Sequence, residues 1–259
     1  MPASDLPLLI DAARIAGRIA TSFAGPTARR WDKDDGAGPV TEADLAVDTY
    51  LRTSLLAARP DYGWLSEETE DNASRLTRDT VFIVDPIDGT RSFVEGERTW
   101  AISIAVAQRG IVTAAAIHLP QRNKLYAAGQ GVGATLNGAP VRVGQAHTPP
   151  QVLAAKPNFE DRHWPGGRPD SDRHYRPSLA YRLALVGQGR FEGTLTLRPS
   201  WEWDIAAGAL IVTEAGGAVT DRAGAPLRFN TEDALLNGVV AAEPALHTAM
   251  LTGLGAAVS

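Results

Sequence analysis

Cysteine is absent from this chain of 259 residues. Its absence excludes a disulfide framework, thiolate zinc sites and a cysteine nucleophile, and it is typical of proteins from a reducing compartment. Long apolar runs are missing as well, since nowhere do about 18 consecutive apolar residues occur, and we expect no membrane span. Asp5 and Asp11 stand where a secretory signal would carry basic residues and then an unbroken apolar stretch. We therefore expect a cytoplasmic protein.

An excess of positive charge is also missing. The chain carries 25 lysines and arginines against 30 aspartates and glutamates, which gives a formal net charge of −5. This balance provides no electrostatic reason to expect nucleic acid or an anionic membrane as a partner. An anionic substrate would therefore need local cations, supplied by side chains or by a metal ion.

Several familiar catalytic and ligand-binding patterns are absent. No G-x-S-x-G or H-E-x-x-H motif occurs, and the five histidines are scattered along the chain. Between Asp32 and Glu42, Ala37 stands where an EF-hand loop requires glycine. The glycines of segment 129–133 are not followed by a helical pattern, which excludes a dinucleotide-binding fingerprint.

What is present is a change of pattern at Pro149-Pro150. Before it, helical spacing of apolar residues predicts helices at 5–23 and 41–57, and strand-like segments follow at 62–66, 81–85, 101–108, 111–118, 123–128 and 132–136. After it, strands at 152–156, 191–197, 217–220 and 238–242 alternate with helices at 178–188, 204–215 and 243–252. We expect an α+β half (1–149) with a largely antiparallel sheet and an α/β half (150–259) with a mixed or parallel sheet.

Two aspartates stand at the end of the strand-like segment 81–85. Pro86 follows Asp85 and lacks the N–H needed to continue a ladder, and Asp88 comes after a turn. Gly89 and Thr90 then offer backbone N–H groups to an anion. An ordinary Pro–Asp–Gly turn explains the same residues, so this stretch alone leaves both interpretations open.

Three further acids stand at the ends of predicted elements, and each has an ordinary structural explanation. Glu67 lies in an acidic run that is typical of a solvated loop. Asp204 precedes a helical pattern and would serve as its N-cap. Asp44 fits a capping box with Thr41, but it shares a helix face with Val47, so its carboxylate needs a buried partner.

Taken together, these acids provide hard oxygen ligands without cysteine or clustered histidine, which favours Mg²⁺ or Mn²⁺ over zinc. Carboxylates beside a phosphate-binding turn are the components of metal-assisted phosphoryl transfer to water. The motifs that contain them resemble, in order along nearly the whole chain, the signature motifs of the inositol monophosphatase superfamily. These motifs are Val40–Asp44, Glu67–Glu68, Asp85–Thr90, Trp203–Gly208 and Glu214–Gly217.

This resemblance implies a layered αβαβα sandwich and a Mg²⁺-dependent phosphomonoesterase with two or three ions. Glu67, Asp85 and the carbonyl of Ile87 would hold one ion. A second would be held by Asp85, Asp88 and Asp204, and Glu67 would share a third, weaker one. Mn²⁺ is a possible substitute, and Li⁺ is typically an inhibitor.

The resemblance also implies roles for the remaining motif residues. Gly89 and Thr90 would bind the phosphate through their N–H groups. Asp44 would accept a hydrogen bond from Thr90 Oγ, and the pair would orient and deprotonate a water for one in-line displacement without a phosphoenzyme. Family members are usually dimeric, so we expect a homodimer that acts on a small phosphorylated metabolite.

The sequence specifies the substrate less closely. Inositol-specific members carry an acid seven positions before the aspartate of their WD motif, where this chain has Leu197. Segment 65–68 and Glu202 look closer to the 3′(2′),5′-bisphosphate nucleotidases, and Arg176 in the basic segment 168–182 is a candidate for a second phosphate. A solvated loop explains that segment equally well.

We favour 3′-phosphoadenosine 5′-phosphate as the substrate and place inositol 1-phosphate second. Histidinol phosphate and sugar phosphates follow. The alternative from another class is a non-catalytic Mg²⁺-binding protein that acts through a partner.

Overall fold

The computed structural model describes residues 5–23, 25–32, 38–144 and 146–256. Its helices are α1 (Asp5–Ser22), α2 (Glu42–Ala58), α3 (Thr90–Val94), α4 (Leu179–Gly187), α5 (Glu202–Glu214) and α6 (Pro244–Leu254). Its strands are β1 (Arg30–Asp32), β2 (Pro39–Thr41), β3 (Gly63–Ser66), β4 (Thr80–Asp88), β5 (Ala101–Gln108), β6 (Ile111–Leu119), β7 (Lys124–Gly129), β8 (Gly133–Leu136), β9 (Ala139–Pro140), β10 (Gln151–Leu153), β11 (Asp172–His174), β12 (Gly193–Thr196), β13 (Ser200–Trp201), β14 (Ala218–Thr220), β15 (Leu235–Leu236) and β16 (Val239–Ala242). None of the described helices is both long and apolar enough to cross a membrane.

The larger sheet has seven strands in the order β3-β4-β5-β6-β7-β8-β9. Only β3 and β4 run parallel, and every other pair is antiparallel, which confirms the predicted antiparallel character. Successive side chains of β4 point to opposite faces, as the pleat of a strand requires. Phe82 and Val84 pack with α1 and α2, whereas Val81 and Ile83 pack with α4 and α5.

The smaller sheet has five strands in the order β11-β10-β12-β16-β14. The first two pairs are parallel and the last two antiparallel, so the predicted mixed sheet is confirmed. Leu153 and Val239 pack with α4 and α5 on one face, and Val240 packs with α6 on the other. The layers are therefore α1 and α2, the larger sheet, α4 and α5, the smaller sheet, and α6, which is the predicted αβαβα sandwich.

Helices α4 and α5 form the central layer and cross very closely at Gly208. A Cβ atom built on Gly208 would lie 2.4 Å from the Cβ of Leu183, a distance that real Cβ contacts do not reach. Any side chain here would force the two helices apart in a close-packed core. Glycine therefore allows α5 to lie between the two sheets.

Two predicted element boundaries are wrong. Strand β4 does not end at Asp85, because the chain stays extended past Pro86 and pairing resumes at Asp88. The register shifts between Asp85 and Asp88, so the missing N–H of proline produces a β-bulge rather than the end of the strand. Asp204 does not cap α5 either, because the helix begins at Glu202 and places Asp204 within its first turn.

The segment predicted as a loop at 31–39 is bounded by two short paired strands. β1 and β2 are antiparallel, and Trp31 lies opposite Val40. Residues 33–37 of that prediction lie outside the described residues. The division of the chain at Pro149-Pro150 stays a prediction.

Arg75 ties together two loops that are far apart in sequence. Its side chain is only 1% exposed, and it donates to both carboxylate oxygens of Asp71 at 2.7 and 2.8 Å. It also donates to Asn230 Oδ1 at 2.7 Å and to the carbonyls of Thr231 and Glu232 at 2.9 and 3.1 Å. The loop that follows β3 is thereby fastened to the turn that precedes β15.

Replacing Arg75 by alanine should destabilise the protein by at least about 2 kcal/mol, because a buried side chain and its five partly buried hydrogen bonds are lost at once. Arg109→Ala is the matched control, since the Arg109–Asp79 pair is fully exposed and should leave the unfolding midpoint unchanged. Urea unfolding of both variants measures the difference. Equal midpoints for the two variants would show that Arg75 does not hold these loops.

Candidate active site

Asp85, Asp88 and Asp204 converge on one point. Each offers a carboxylate oxygen, and these oxygens all lie within 4.8 Å of one another. The bulge in β4 delivers the first two acids, and the first turn of α5 delivers the third. All three line a cavity of about 290 Å³, whose walls also include Glu67, Ile87, Gly89, Thr90, Arg91, Tyr175, Arg182, Thr196 and Arg198.

The central member of this cluster is Asp85, which is 1% exposed. Burial raises its pKa well above the ordinary value, and the neighbouring charges of Glu67, Asp88 and Asp204 raise it further. Its Oδ1 atom is buried and has no hydrogen-bond partner among the described residues. A buried carboxylate oxygen that lacks a donor and lies among other acids fits a hard divalent cation as its partner.

The pKa of Asp204 is also raised well above its ordinary value. Burial raises its pKa, the charges of Asp88 and Glu67 raise it further, and Arg198 and Arg182 lower it. Like-charged groups held this close cannot all ionise without a compensating positive charge. The acid cluster therefore holds either protons or cations.

One oxygen of Asp88 is fixed by the start of α4. Asp88 Oδ2 accepts hydrogen bonds from Ser178 Oγ and from the N–H of Ala180, both at 2.6 Å. Burial raises the pKa of Asp88 to about 6, although these bonds and the positive charge of Arg182 oppose the rise. The helix thus orients the carboxylate and leaves its other oxygen toward the cluster.

Asp44 has the buried partners that its predicted orientation requires. Its Oδ2 accepts from Thr41 N at 2.9 Å and from Thr41 Oγ1 at 2.5 Å, which completes the predicted capping box. Its Oδ1 accepts from Thr90 Oγ1 at 3.2 Å, the hydrogen bond that the resemblance implied. Burial raises the pKa of Asp44 to about 6, the hydrogen bonds from Thr41 lower it, and the charge of Glu67 raises it.

Asp48, one turn further along α2, holds the loop that carries Glu67. Its two carboxylate oxygens accept from Ser66 Oγ at 2.5 Å and from Thr69 Oγ1 at 2.7 Å, on either side of Glu67. The backbone N–H of Glu67 donates to the carbonyl of Val84 at 3.2 Å. Asp48 was not identified from the sequence, although its position four residues after Asp44 places it on the same helix face.

Leu197 does not line the candidate active site. It is buried in the core beneath α6, whereas its neighbours Thr196 and Arg198 line the cavity. The cause is the alternation of side chains along β12, which continues beyond the end of the strand. The predicted role of Leu197 is therefore wrong, because the next residue, Arg198, faces the cavity instead. The alternation of side chains in segment 191–197 was the signal that could have identified Arg198.

The other two predicted specificity residues also lie elsewhere. Arg176 donates to the carbonyl of Tyr175 at 2.6 Å and lines a separate cavity, while Tyr175 itself lines the candidate active site. Glu202 is buried and accepts from the N–H groups of Asn230 and Thr231 at 2.6 and 2.8 Å. Its carboxylate thus fixes the turn before β15 rather than a substrate.

Residues 4–258 match the Inositol monophosphatase family. An inositol-1-monophosphatase from Rhizobium meliloti is 36% identical over 207 residues, which cover 71% of this chain and 73% of the relative. A Nus factor SuhB from Salmonella typhimurium is 30% identical over 262 residues, covering 96% of this chain and 95% of the relative. A histidinol-phosphatase from Chlorobaculum parvum is 30% identical over 261 residues, covering 97% and 96%.

Solved structures show the same similarity in three dimensions. The extragenic suppressor protein suhB from Bartonella henselae superposes with a TM-score of 0.81 at 28% identity, covering 97% of this chain and 98% of that one. An IMPase from Thermotoga maritima superposes with a TM-score of 0.81 at 27% identity, covering 96% of each. The chain therefore belongs to the inositol monophosphatase family, whose members are phosphatases.

Proposed function

We propose that this chain is a Mg²⁺-dependent phosphomonoesterase that hydrolyses a small phosphorylated metabolite with an activated water. The observation that carries the proposal is the buried Asp85 Oδ1, which has no hydrogen-bond partner among the described residues. Asp85, Asp88 and Asp204 each offer one carboxylate oxygen, and these three oxygens lie within 4.8 Å of one another. This all-oxygen donor set fits Mg²⁺, with Mn²⁺ as a possible substitute.

Two or three ions would be held by Glu67, Asp85, the Ile87 carbonyl, Asp88 and Asp204. When bound, they would neutralise phosphate charge, lower the pKa of a water molecule and stabilise the leaving alkoxide. The family resemblance further suggests that Li⁺ inhibits the reaction.

Asp44 and Thr90 are the proposed proton acceptors. The Thr90 hydroxyl lies 3.2 Å from Asp44 Oδ1 and 3.1 Å from the Ile87 carbonyl. When it donates to Asp44, it can pass a proton to that carboxylate while its oxygen accepts one from the attacking water. A pKa of about 6 leaves Asp44 ionised at neutral pH, but close enough to neutrality to receive a proton. The pair would accept the proton that the attacking water releases in a single in-line displacement, and solvent water would protonate the leaving alkoxide.

The proposed phosphate site is the start of α3. Gly89 precedes this helix with a φ of 97°, a conformation that glycine adopts without strain. The first N–H groups of a helix have no acceptor within it, and Gly89 and Thr90 line the same cavity as the acids. These groups would bind the phosphate oxygens.

For the substrate we propose 3′-phosphoadenosine 5′-phosphate. Arg182 and Arg198 line the cavity that holds the acids, and two guanidinium groups suit a second, non-reacting phosphate. The ring of Tyr175 lines the cavity too and is half exposed, which provides an aromatic surface for a base. Arg182, Arg198 and Tyr175 therefore support this substrate, whereas Arg176 and Glu202, which the sequence suggested, lie outside the cavity.

Inositol 1-phosphate is the second candidate. The name of the 36% identical relative from Rhizobium meliloti favours it. Leu197 no longer argues against it, because this side chain lies in the core and not in the cavity.

A homodimer in the cytoplasm, without nucleic acid or membrane as a partner, stays a prediction.

Asp85→Asn should reduce Mg²⁺-dependent phosphatase activity by more than about a hundredfold. Loss of a group that only supports a metal ligand typically costs up to about a hundredfold, and loss of the ligand itself should cost more. Asp79→Asn is the matched control, because Asp79 is exposed and pairs only with Arg109 in the described ion pairs. Initial rates at saturating Mg²⁺ measure the effect. An Asp85→Asn protein that keeps most of its activity would refute the assignment of the metal site. Mg²⁺ binding by the parent chain without hydrolysis of any phosphomonoester would instead favour a non-catalytic protein.

Arg198→Gln should raise the KM for 3′-phosphoadenosine 5′-phosphate by about tenfold, since a charge-assisted hydrogen bond is worth about 1.5–3 kcal/mol. The KM for inositol 1-phosphate should change much less, because that ester has no second phosphate. Arg162→Gln, at an exposed pair with Glu160, serves as the control. A higher specificity constant of the parent enzyme for inositol 1-phosphate would contradict the proposed substrate.

The raised pKa of Asp44 predicts a pH dependence of stability in the presence of a chelator. A carboxyl of this kind contributes stability below its unfolded pKa of 3.8 and loses that contribution as pH rises through about 6. Asn cannot ionise, so Asp44→Asn should gain stability relative to the parent between about pH 4 and pH 7. Thermal unfolding of both proteins across this range measures the difference, and the constant cost of altered hydrogen bonds cancels. A relative stability that is flat or falls with pH would contradict the prediction.

A further inference from the structure

A second polar cavity lies beside the candidate active site. It has a volume of about 540 Å³ and is lined by His147, His174, Gln188, Arg190 and Phe191, together with Arg176. The residues of segment 174–177 alternate between the two cavities. Tyr175 and Pro177 line the candidate active site, whereas His174 and Arg176 line the second cavity, and no residue lines both.

The two arginines that line this second cavity form no ion pair with any acid among the described residues. None of the described residues that line it is an aspartate or a glutamate. Arg176 donates only to the carbonyl of Tyr175, and Arg190 takes part in none of the ion pairs found among the described residues. The pKa of nearby Lys124 is lowered, first by burial and then by the charges of Arg190 and Arg122. The positive charge of Arg190 therefore acts on Lys124.

A carboxylate next to this cavity, that of Glu192, is already bonded to the backbone. Its oxygens accept from the N–H groups of Ala146, His147 and Gln151 at 2.9, 3.2 and 2.6 Å. They also accept from His147 Nδ1 at 3.0 Å, and the Glu192 side chain is only 2% exposed. Glu192 thus fastens the chain around residues 146–151 and does not neutralise the arginines.

Phe191 holds one of these arginines in place. The guanidinium of Arg176 lies 5.8 Å from the centroid of the Phe191 ring, and the ring of His174 packs edge-on against it at 5.5 Å. A cation held over an aromatic ring loses less conformational freedom when it binds a ligand. Arg176 is therefore positioned in advance of binding.

We propose that this cavity binds the phosphate group of a small anion, with Arg176 and Arg190 as its ligands, at a site separate from the candidate active site. Guanidinium groups match phosphate oxygens in charge and in geometry. The volume lies within the range of about 300–1,000 Å³ that is typical of small-molecule sites. The phosphate could come from inorganic phosphate or from a phosphate monoester, and the experiment below separates the two.

The test is a calorimetric titration of the full-length chain with inorganic phosphate, and separately with AMP, in chelator and at constant ionic strength. The chelator removes the divalent metal that would hold a phosphate at the acid cluster of the candidate active site. Any binding that persists there through Arg182 and Arg198 is common to the parent and to every variant, so the second site is the part that the Arg176 and Arg190 changes remove. The variants are Arg190→Gln and the double variant Arg176→Gln/Arg190→Gln. Arg109→Gln, at the exposed pair with Asp79, is the control. Thermal unfolding verifies that each variant is folded.

We expect a binding event in the parent and in the Arg109→Gln control that is weakened at least about tenfold in the double variant and less in Arg190→Gln. Tighter binding of AMP than of inorganic phosphate identifies an ester as the ligand, and the reverse order identifies free phosphate. No binding of either anion by the parent, or equal affinities in the parent and in the folded double variant, would overturn the proposal. Because the readout is binding without metal, the result does not depend on whether the chain hydrolyses phosphate esters.

Discussion

The close approach of Asp85, Asp88 and Asp204, two of them buried and one partly buried, is the constraint on which the rest of the structure depends. Carboxylates this close repel one another strongly when water is excluded, and the surrounding protein supplies few donors to offset the repulsion. Asp85 Oδ1 has none among the described residues. The arrangement is stable only if protons or cations occupy it, so the cluster couples the folded state to whatever positive charge it binds.

The fold holds the acids together despite this repulsion, because two separate elements fix their positions. The bulge in β4 fixes Asp85 and Asp88 within the larger sheet, and α5 is held between both sheets by its close crossing at Gly208. Glu202 and Arg75 bind the same turn at 230–232, so the start of α5 and the loop after β3 are joined. These contacts lie outside the cavity, yet they determine where its ligand atoms can be.

Much of this could be predicted from local sequence, because the signals are local. The capping box of Asp44, the apolar run of β4 and the helical spacing of α1 depend on residues a few positions apart. The bulge at Pro86 could not be predicted, because a missing N–H is compatible with either a strand end or a bulge. The placement of Leu197 depends on which face of β12 its side chain occupies. The placement of Arg176 depends on a segment that lies between two cavities. The contact of Arg75 with Asn230 spans 155 residues and has no local signal.

The proposed function requires that the acids at the end of β4 and the start of α5 hold divalent cations for phosphate chemistry. Anomalous diffraction from crystals grown with Mn²⁺ tests this requirement most directly. We predict anomalous peaks coordinated by Asp85, Asp88 and Asp204, with Glu67 sharing an ion. A protein that hydrolyses phosphomonoesters in Mn²⁺ but shows no peak at these carboxylates would contradict it.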